Sequence, residues 1–221
     1  MKKYINSGTT ANVYKKCTKK QCVVEKRPIK NNLSLEYRFL KLLHPLYPDG
    51  IIRPVDFKNK SIYLNYVNIN KTKIRTKAKA KRILKSVILA LIAIQKKYPT
   101  FRHNDLHLNN VFISKNKENV YMSDFGFANI QLPGYKNPLV QSKFYEEQYG
   151  IGTKTNKKYD IAYLINFMYF DSGPIVKKYL ETLVPIEYLQ RGNNKVLFNG
   201  RMRYTVPHTK FPSLKKILHQ L

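Results

Sequence analysis

Hydrophobic and polar positions follow two different periods along this chain, and the change falls near residue 67. Before it, apolar residues come in short β-rich runs. Residues 4–26 predict strands: Val13-Tyr14 and Cys22-Val23-Val24 flank a polar turn, Thr18-Lys19-Lys20-Gln21. Leu35, Phe39, Leu42 and Leu43 then keep helical spacing, which predicts a helix over 33–43 that Pro45 ends. Residues 51–57 and 61–64 predict a second hairpin, turning at Lys58-Asn59-Lys60. After Val67 the helical period dominates. Residues 77–97 place apolar side chains at 83, 84, 87, 88, 91 and 94, and residues 160–170 form a second apolar helix. Between them, Val111-Phe112-Ile113 and Val120-Tyr121-Met122 are short and β-prone.

Strands first and helices later is the order of an α+β fold. The pattern holds no internal repeat and no low-complexity linker. It predicts one domain over 1–221, with a strand-rich part at 1–66 and a mainly helical part at 67–221. The chain is 43% hydrophobic, with seventeen Tyr and eleven Phe, enough to build a core and too apolar for a disordered segment.

Charge adds a second constraint. With 41 Lys+Arg against 13 Asp+Glu the formal net charge is +28. Such an excess points to a polyanionic neighbour, such as an acidic protein, nucleic acid or a membrane surface. A drift of composition toward Lys, Asn, Ile and Tyr gives the same excess without any ligand. The run Lys71, Lys73, Arg75, Lys77, Lys79, Lys81, Arg82 and Lys85 is either a docking site for an acidic protein substrate or nucleic acid, or a solvated helix face. No aromatic residue alternates with these charges, which speaks against stacking of bases.

Two cysteines, Cys17 and Cys22, are too few to close a zinc site, and no CxxC is present. Both thiols are expected free in a reducing compartment. No apolar run reaches the length of a membrane span, and the first residues lack the apolar stretch of a signal peptide. The expectation is an intracellular, soluble protein with no membrane span. Nothing in the pattern fixes an oligomeric state.

The chemistry-bearing residues cluster. His103-Asn104-Asp105-Leu106-His107-Leu108-Asn109-Asn110 is followed by Ser123-Asp124-Phe125-Gly126. A carboxylate, a carboxamide five residues on and a second carboxylate suit phosphoryl transfer. Magnesium takes hard oxygen ligands and keeps waters and phosphate oxygens, so one Asn and one Asp suffice as protein ligands. The other Asp can then accept the proton of an attacking hydroxyl.

These two stretches resemble the catalytic loop and the metal-binding Asp-Phe-Gly of the protein-kinase superfamily. The resemblance implies a two-lobed, protein-kinase-like α+β fold. A small antiparallel β lobe with one helix (1–66) would sit on a mainly helical lobe (67–221). It implies ATP and Mg2+ as cofactors, Asp105 as catalytic base, and Asn110 and Asp124 as metal ligands. Lys26, in Val23-Val24-Glu25-Lys26, resembles the lysine that pairs with the α/β-phosphates, and Glu36 the helical glutamate that braces it. Leu64 stands at the gatekeeper position, and backbone groups near Asn65 and Val67 are expected to bind adenine. Asn6 to Val13 resembles a Gly-rich phosphate loop in which Gly8 remains and Asn6 and Ala11 replace the other glycines; Gly8 and Val13 are its nucleotide-binding positions. Asp160 resembles the aspartate that organises the catalytic loop from below. Glu146 or Glu147, with Arg191 or Arg201, is expected to close the intervening segment.

Two departures bear on mechanism. Asn104 stands where an arginine would read a phosphorylated loop, which implies activity not switched by phosphorylation. His107 replaces the catalytic-loop lysine of Ser/Thr kinases; a histidine there also resembles kinase-like enzymes acting on small molecules. Only about 50 residues follow Phe170, a trimmed form similar to the compact kinases of large DNA viruses, which implies host cytoplasm or virion as its location. The expected function is an ATP- and Mg-dependent Ser/Thr protein kinase. The alternatives are a small-molecule kinase, and a pseudokinase or scaffold that binds a polyanion.

Overall fold

A computed structural model describes residues 2–7, 11–19, 21–30, 32–69, 73–115, 119–144, 151, 156–189 and 211–221, with the backbone alone at 70, 197–198 and 201–202. The molecule is a mixed α+β structure. Its first part is an antiparallel five-stranded sheet built from β1 (Lys2–Ser7), β2 (Ala11–Cys17), β3 (Cys22–Pro28), β4 (Pro54–Lys58) and β5 (Ser61–Asn65), in the order β1-β2-β3-β5-β4. β1 is exposed along its whole length, and its lysines blunt an otherwise open sheet edge. The β4–β5 turn is tight: Asn59 and Lys60 both have positive φ, 50° and 58°. That is the mirror-image geometry that matches strand twist, and Asn tolerates it well.

The register of β3 decides where chemistry can occur. Lys26 lies opposite Val13 on β2 and Ile62 on β5, while Val24 lies opposite Leu64. Residues directly opposite share a face, and alternate residues along a strand do too. Val13, Val24, Lys26, Ile62 and Leu64 therefore line one face of the sheet. Glu25 lies on the other, where Lys16, Arg27 and Tyr63 bind its carboxylate.

Helix α1 (Ser34–Leu43) follows β3. Its buried residues are Glu36, Phe39, Leu40 and Leu43, an i, i+3, i+4, i+7 stripe. The expected stripe of 35, 39, 42 and 43 is thus turned by about one position. Glu36, an acidic residue, occupies the inward place, and Leu35 and Leu42 are only partly buried.

Ile51 to Arg53, expected as the start of a strand, leaves the sheet. Ile51 bridges Met122 in parallel, and Met122 N–H donates to Gly50 O at 2.8 Å. The short β6 (Ile69–Asn70), β7 (Val111–Ser114) and β8 (Val120–Met122) form a second antiparallel sheet, ordered β6-β7-β8. Helix α2 (Lys77–Lys97) has the length the periodicity predicts. Thr76 caps it by accepting Lys79 N–H, and Ile83, Leu84, Val87, Ile88, Leu91 and Ile94 are all buried.

The remaining elements are α3 (Pro138–Gln141), α4 (Tyr159–Asp171), α5 (Pro174–Glu181), β9 (Leu197–Phe198), β10 (Arg201–Met202) and α6 (Leu214–Gln220). Helix α4 is buried from Tyr159 through Met168, so it runs through the core and reads as apolar all round. Among the described residues no helix is long and apolar enough to cross a membrane.

The expected free thiols are corrected. The β2–β3 register sets Cys17 opposite Cys22, their Cα atoms are 4.0 Å apart, and the two sulfurs form a disulfide. Facing positions on a tight hairpin leave the two sulfurs within bonding reach.

Candidate active site

The central strand β3 points Lys26 toward α1. Lys26 Nζ donates to both carboxylate oxygens of Glu36, at 2.9 Å and 2.8 Å, and to Asp124 Oδ1 at 3.0 Å. An ammonium has three N–H donors, and three acceptor oxygens surround this one. The contact joins the first sheet to the segment after β8. Burial alone would push the Lys26 ammonium toward its neutral form. The carboxylates of Glu36 and Asp124 overcome that and hold its pKa well above the usual lysine value. Glu36 is pushed up instead, by its own burial, while Lys26 pulls it back and Asp124 adds to the rise.

The loop between α2 and β7 carries the second group of residues. Its backbone is held from beneath by Asp160, fully buried near the start of α4. Asp160 Oδ2 accepts His103 N–H at 2.8 Å and Oδ1 accepts Asn104 N–H at 2.9 Å. Asn104 has φ of 65°, a left-handed conformation that Asn tolerates better than most residues. The His103 ring takes Asp105 N–H on Nδ1, which leaves Nε2–H to donate to Ser123 O at 2.9 Å. It also packs on Phe125. One imidazole thus ties Asp105 to the chain that carries Asp124.

Asp105 and Asn110 are linked directly. Asn110 Nδ2 donates to Asp105 O at 2.8 Å and lies 3.2 Å from Asp105 Oδ2. Ser123 N–H and Oγ–H both donate to Asn110 O, so Asn110 and Asp124 are held as neighbours. His107 Nδ1 accepts Asn109 N–H at 3.2 Å, and its Nε2 lies 3.5 Å from Asp105 Oδ2 and 3.4 Å from Asn110 Nδ2. The ring stacks on Phe167, centroids 5.0 Å apart, so α4 fixes its orientation.

Asp124 adopts φ 59° and ψ 67°, a left-handed conformation that costs a non-glycine residue energy and turns the chain sharply. Its side chain remains 39% exposed. Beyond it, a Cβ on Gly126 would come 3.3 Å from Asp124 Oδ1 and 4.0 Å from Glu36 Oε2; glycine leaves that space to the carboxylates.

Could these residues hold magnesium? Asn110 uses its amide nitrogen on Asp105, which leaves its carbonyl oxygen as the donor. Asp124 Oδ2 has no protein partner among the described residues. The donors are hard oxygens, as magnesium requires. Among the described residues no group of three or more His, Cys, Asp or Glu side chains is assembled. A cation here would take most of its shell from water and phosphate, the habit of magnesium. The residues fit the ion.

The other expected positions divide. Val13 lies opposite Lys26, and Leu64 lies on the same sheet face. The backbone N–H of Asn65 donates to Arg53 O at 3.0 Å, where the chain enters β4. Val67, partly buried, makes no backbone hydrogen bond among the described residues. Gly8, Glu146, Glu147 and Arg191 lie outside the described residues, as does the Arg201 side chain.

One participant was not anticipated. Asn137 Nδ2 donates to Gly126 O at 2.8 Å and to Ala128 O at 3.1 Å, while its Oδ1 caps α3 by accepting Leu139 N–H. The Asn-Pro pair at 137–138 announces a helix start, but not the reach of this amide back to the segment after Asp124. No family model matches the chain, and no curated protein is detectably similar to it.

Proposed function

We propose that this protein is an ATP- and magnesium-dependent phosphotransferase of protein-kinase type, acting on a serine or threonine hydroxyl of a protein substrate. The observation that carries the reading is the Lys26 ammonium, bound to both Glu36 oxygens and to Asp124. Lysine raised firmly into its charged form, braced by one carboxylate and touching a second, suits the anionic oxygens of a triphosphate. Bound magnesium would supply charge neutralisation at the β- and γ-phosphate oxygens. Asp124 and Asn110 offer it oxygens, Lys26 binds the phosphates, and Asp105 orients the acceptor hydroxyl and takes its proton. His107, whose Nε2 lies 3.5 Å from Asp105 Oδ2, flanks that carboxylate in the place of a lysine.

Labelled ATP and a mixed protein substrate test the proposal. Wild-type protein transfers label; Asp105→Asn and Asp124→Ala lose it, and Asp124→Ala also loses the thermal stabilisation given by Mg-ATP. Full transfer by both variants would overturn the assignment. His107 favours a second reading, a kinase-fold enzyme with a small-molecule acceptor, and a panel of small alcohols in the same assay separates the two. Absence of both transfer and thermal shift would favour a non-catalytic scaffold.

A further inference from the structure

An open cavity of about 620 Å3 abuts the loop that carries Asp105. Leu108 and Asn109 form one wall, Lys73 and Arg75 another, and Asp171 and Ile175 a third. Lys26, Leu64, Asn65 and Val67 are not among its lining residues, so it is separate from the proposed nucleotide side. It is close to the proposed base, however. Leu108 is three residues from Asp105, at most about 11 Å of chain.

Its chemistry is basic with an apolar floor. Ile74 is buried and anchors the segment, while Lys73 and Arg75 on either side are exposed and reach the cavity. The first turn of α5 also lines it, and Gly173 at its start provides no side-chain cap; a helix N-terminus carries partial positive charge. Ile175, 71% exposed, adds an apolar contact. The basic run continues into the first turn of α2, which holds no acidic residue. Cations there oppose the helix dipole, so helix stability does not explain them. Among the described residues no aromatic side chain lines the cavity, which removes the stacking platform that single-stranded nucleic acid uses.

We propose that this cavity selects acidic peptide acceptors, with Lys73 and Arg75 binding an Asp or Glu side chain two or three residues from the hydroxyl presented to Asp105. The proposal rests on the phosphotransferase reading and names its substrate class. An extended peptide advances about 3.3 Å per residue, so two or three residues span the interval from Asp105 to the cavity.

Two measurements test it. Binding of a fluorescent peptide rich in Asp and Glu, with alanine in place of the acceptor, is followed by anisotropy and needs no turnover. Phosphorylation is compared on acidic, neutral and basic peptides around one serine. Wild-type protein binds the acidic peptide in a salt-sensitive way and prefers it over the basic one by about tenfold or more in kcat/KM. In Lys73→Glu/Arg75→Glu that ratio falls to one or inverts, and the milder Lys73→Ala/Arg75→Ala falls between. A thermal melt verifies that each variant folds. A charge preference absent from the wild type, or unchanged in both variants, overturns the proposal. So does an oligonucleotide that displaces the acidic peptide while turnover shows no charge preference. Charge-dependent peptide binding without any phosphotransfer would instead sink the phosphotransferase reading and leave acidic-peptide docking standing.

Discussion

Asp160 and Asn104 meet through a backbone contact: Asp160 Oδ1 accepts the Asn104 N–H at 2.9 Å, while Oδ2 of the same carboxylate takes the N–H of His103. Both partners are fully buried, and so is the acid. The loop carrying Asp105 therefore takes two of its backbone holds from one side chain on α4. Replacing Asp160 by alanine leaves two buried N–H groups without their acceptor. Unsatisfied buried donors cost about 1–3 kcal/mol each, so Asp160→Ala should lose about 2–6 kcal/mol in urea denaturation. Asp160→Asn keeps one acceptor oxygen and should lose less.

A pH experiment probes the Lys26 cluster. In the folded protein Lys26 is raised above its ordinary 10.5. Its contribution to stability is therefore complete below that value and is lost as pH rises through the folded value. Glu36 is raised above 4.5 by burial and by Asp124; Lys26 is what restrains the rise. In Lys26→Met that restraint is gone, and Glu36 binds its proton more tightly folded than unfolded. Stability of the variant then falls as pH climbs from 4.5 through the folded value of Glu36. Lys26→Met/Glu36→Gln should remove this slope. Chemical denaturation of the wild type and both variants across acid to neutral pH measures it.

Much of this arrangement is legible in the chain, and the exceptions share a cause. Helix α2 follows its apolar period because burial alone decides it. The groups around Asp105, Asn110 and Asp124 lie in two short stretches joined by β7 and β8, so the sequence keeps them close. Helix α1 escapes the rule because a charged residue, Glu36, takes an inward place, and its partner Lys26 lies on a strand. Periodicity counts polarity, not ion pairs formed across elements. Ile51 to Arg53 looks like strand by composition, yet the pairing of Gly50 and Ile51 with Met122 diverts it. Asn137 acts through an amide that reaches back to Gly126 and Ala128, a tertiary contact without local signature. The cysteine pair faces across a hairpin as the turn suggests, but spacing does not report its oxidation.

Asn137→Ala should loosen the chain after Asp124. Its side-chain amide holds two carbonyls, the partly buried one of Gly126 and the buried one of Ala128, and its backbone N–H donates to Asn129 Oδ1. Loss of the side-chain bonds costs about 1–3 kcal/mol. Hydrogen exchange should quicken at residues 126–129 while the interior of α2 stays protected. Equal protection across both regions would show that Asn137 is only a cap for α3.

Hydrogen bonds to the loop before Asp105 fasten residues 127–129. Asn104 Nδ2 donates to Phe127 O at 2.9 Å, and Arg102 and Asn129 exchange backbone hydrogen bonds. Protein treated with phosphatase and protein left untreated should therefore show the same rate in the labelled-ATP assay. A loss of more than about tenfold after phosphatase, a change of about 1.4 kcal/mol, would mean that an added charge completes this segment.

Gly126→Ala separates chemistry from stability. The added methyl would lie 3.3 Å from Asp124 Oδ1, closer than carbon and oxygen settle comfortably. Asp124 is partly exposed and can swing away, so the fold should lose no more than about 1 kcal/mol. Swinging away, however, breaks the 3.0 Å contact with Lys26 and moves the oxygens proposed for magnesium. The variant should melt near the wild-type temperature yet respond to Mg-ATP with a smaller thermal shift, and its transfer rate should fall at low magnesium and recover in part as magnesium is raised. A variant that keeps the full shift and rate would mean that Asp124 needs neither its present position nor its contact with Lys26.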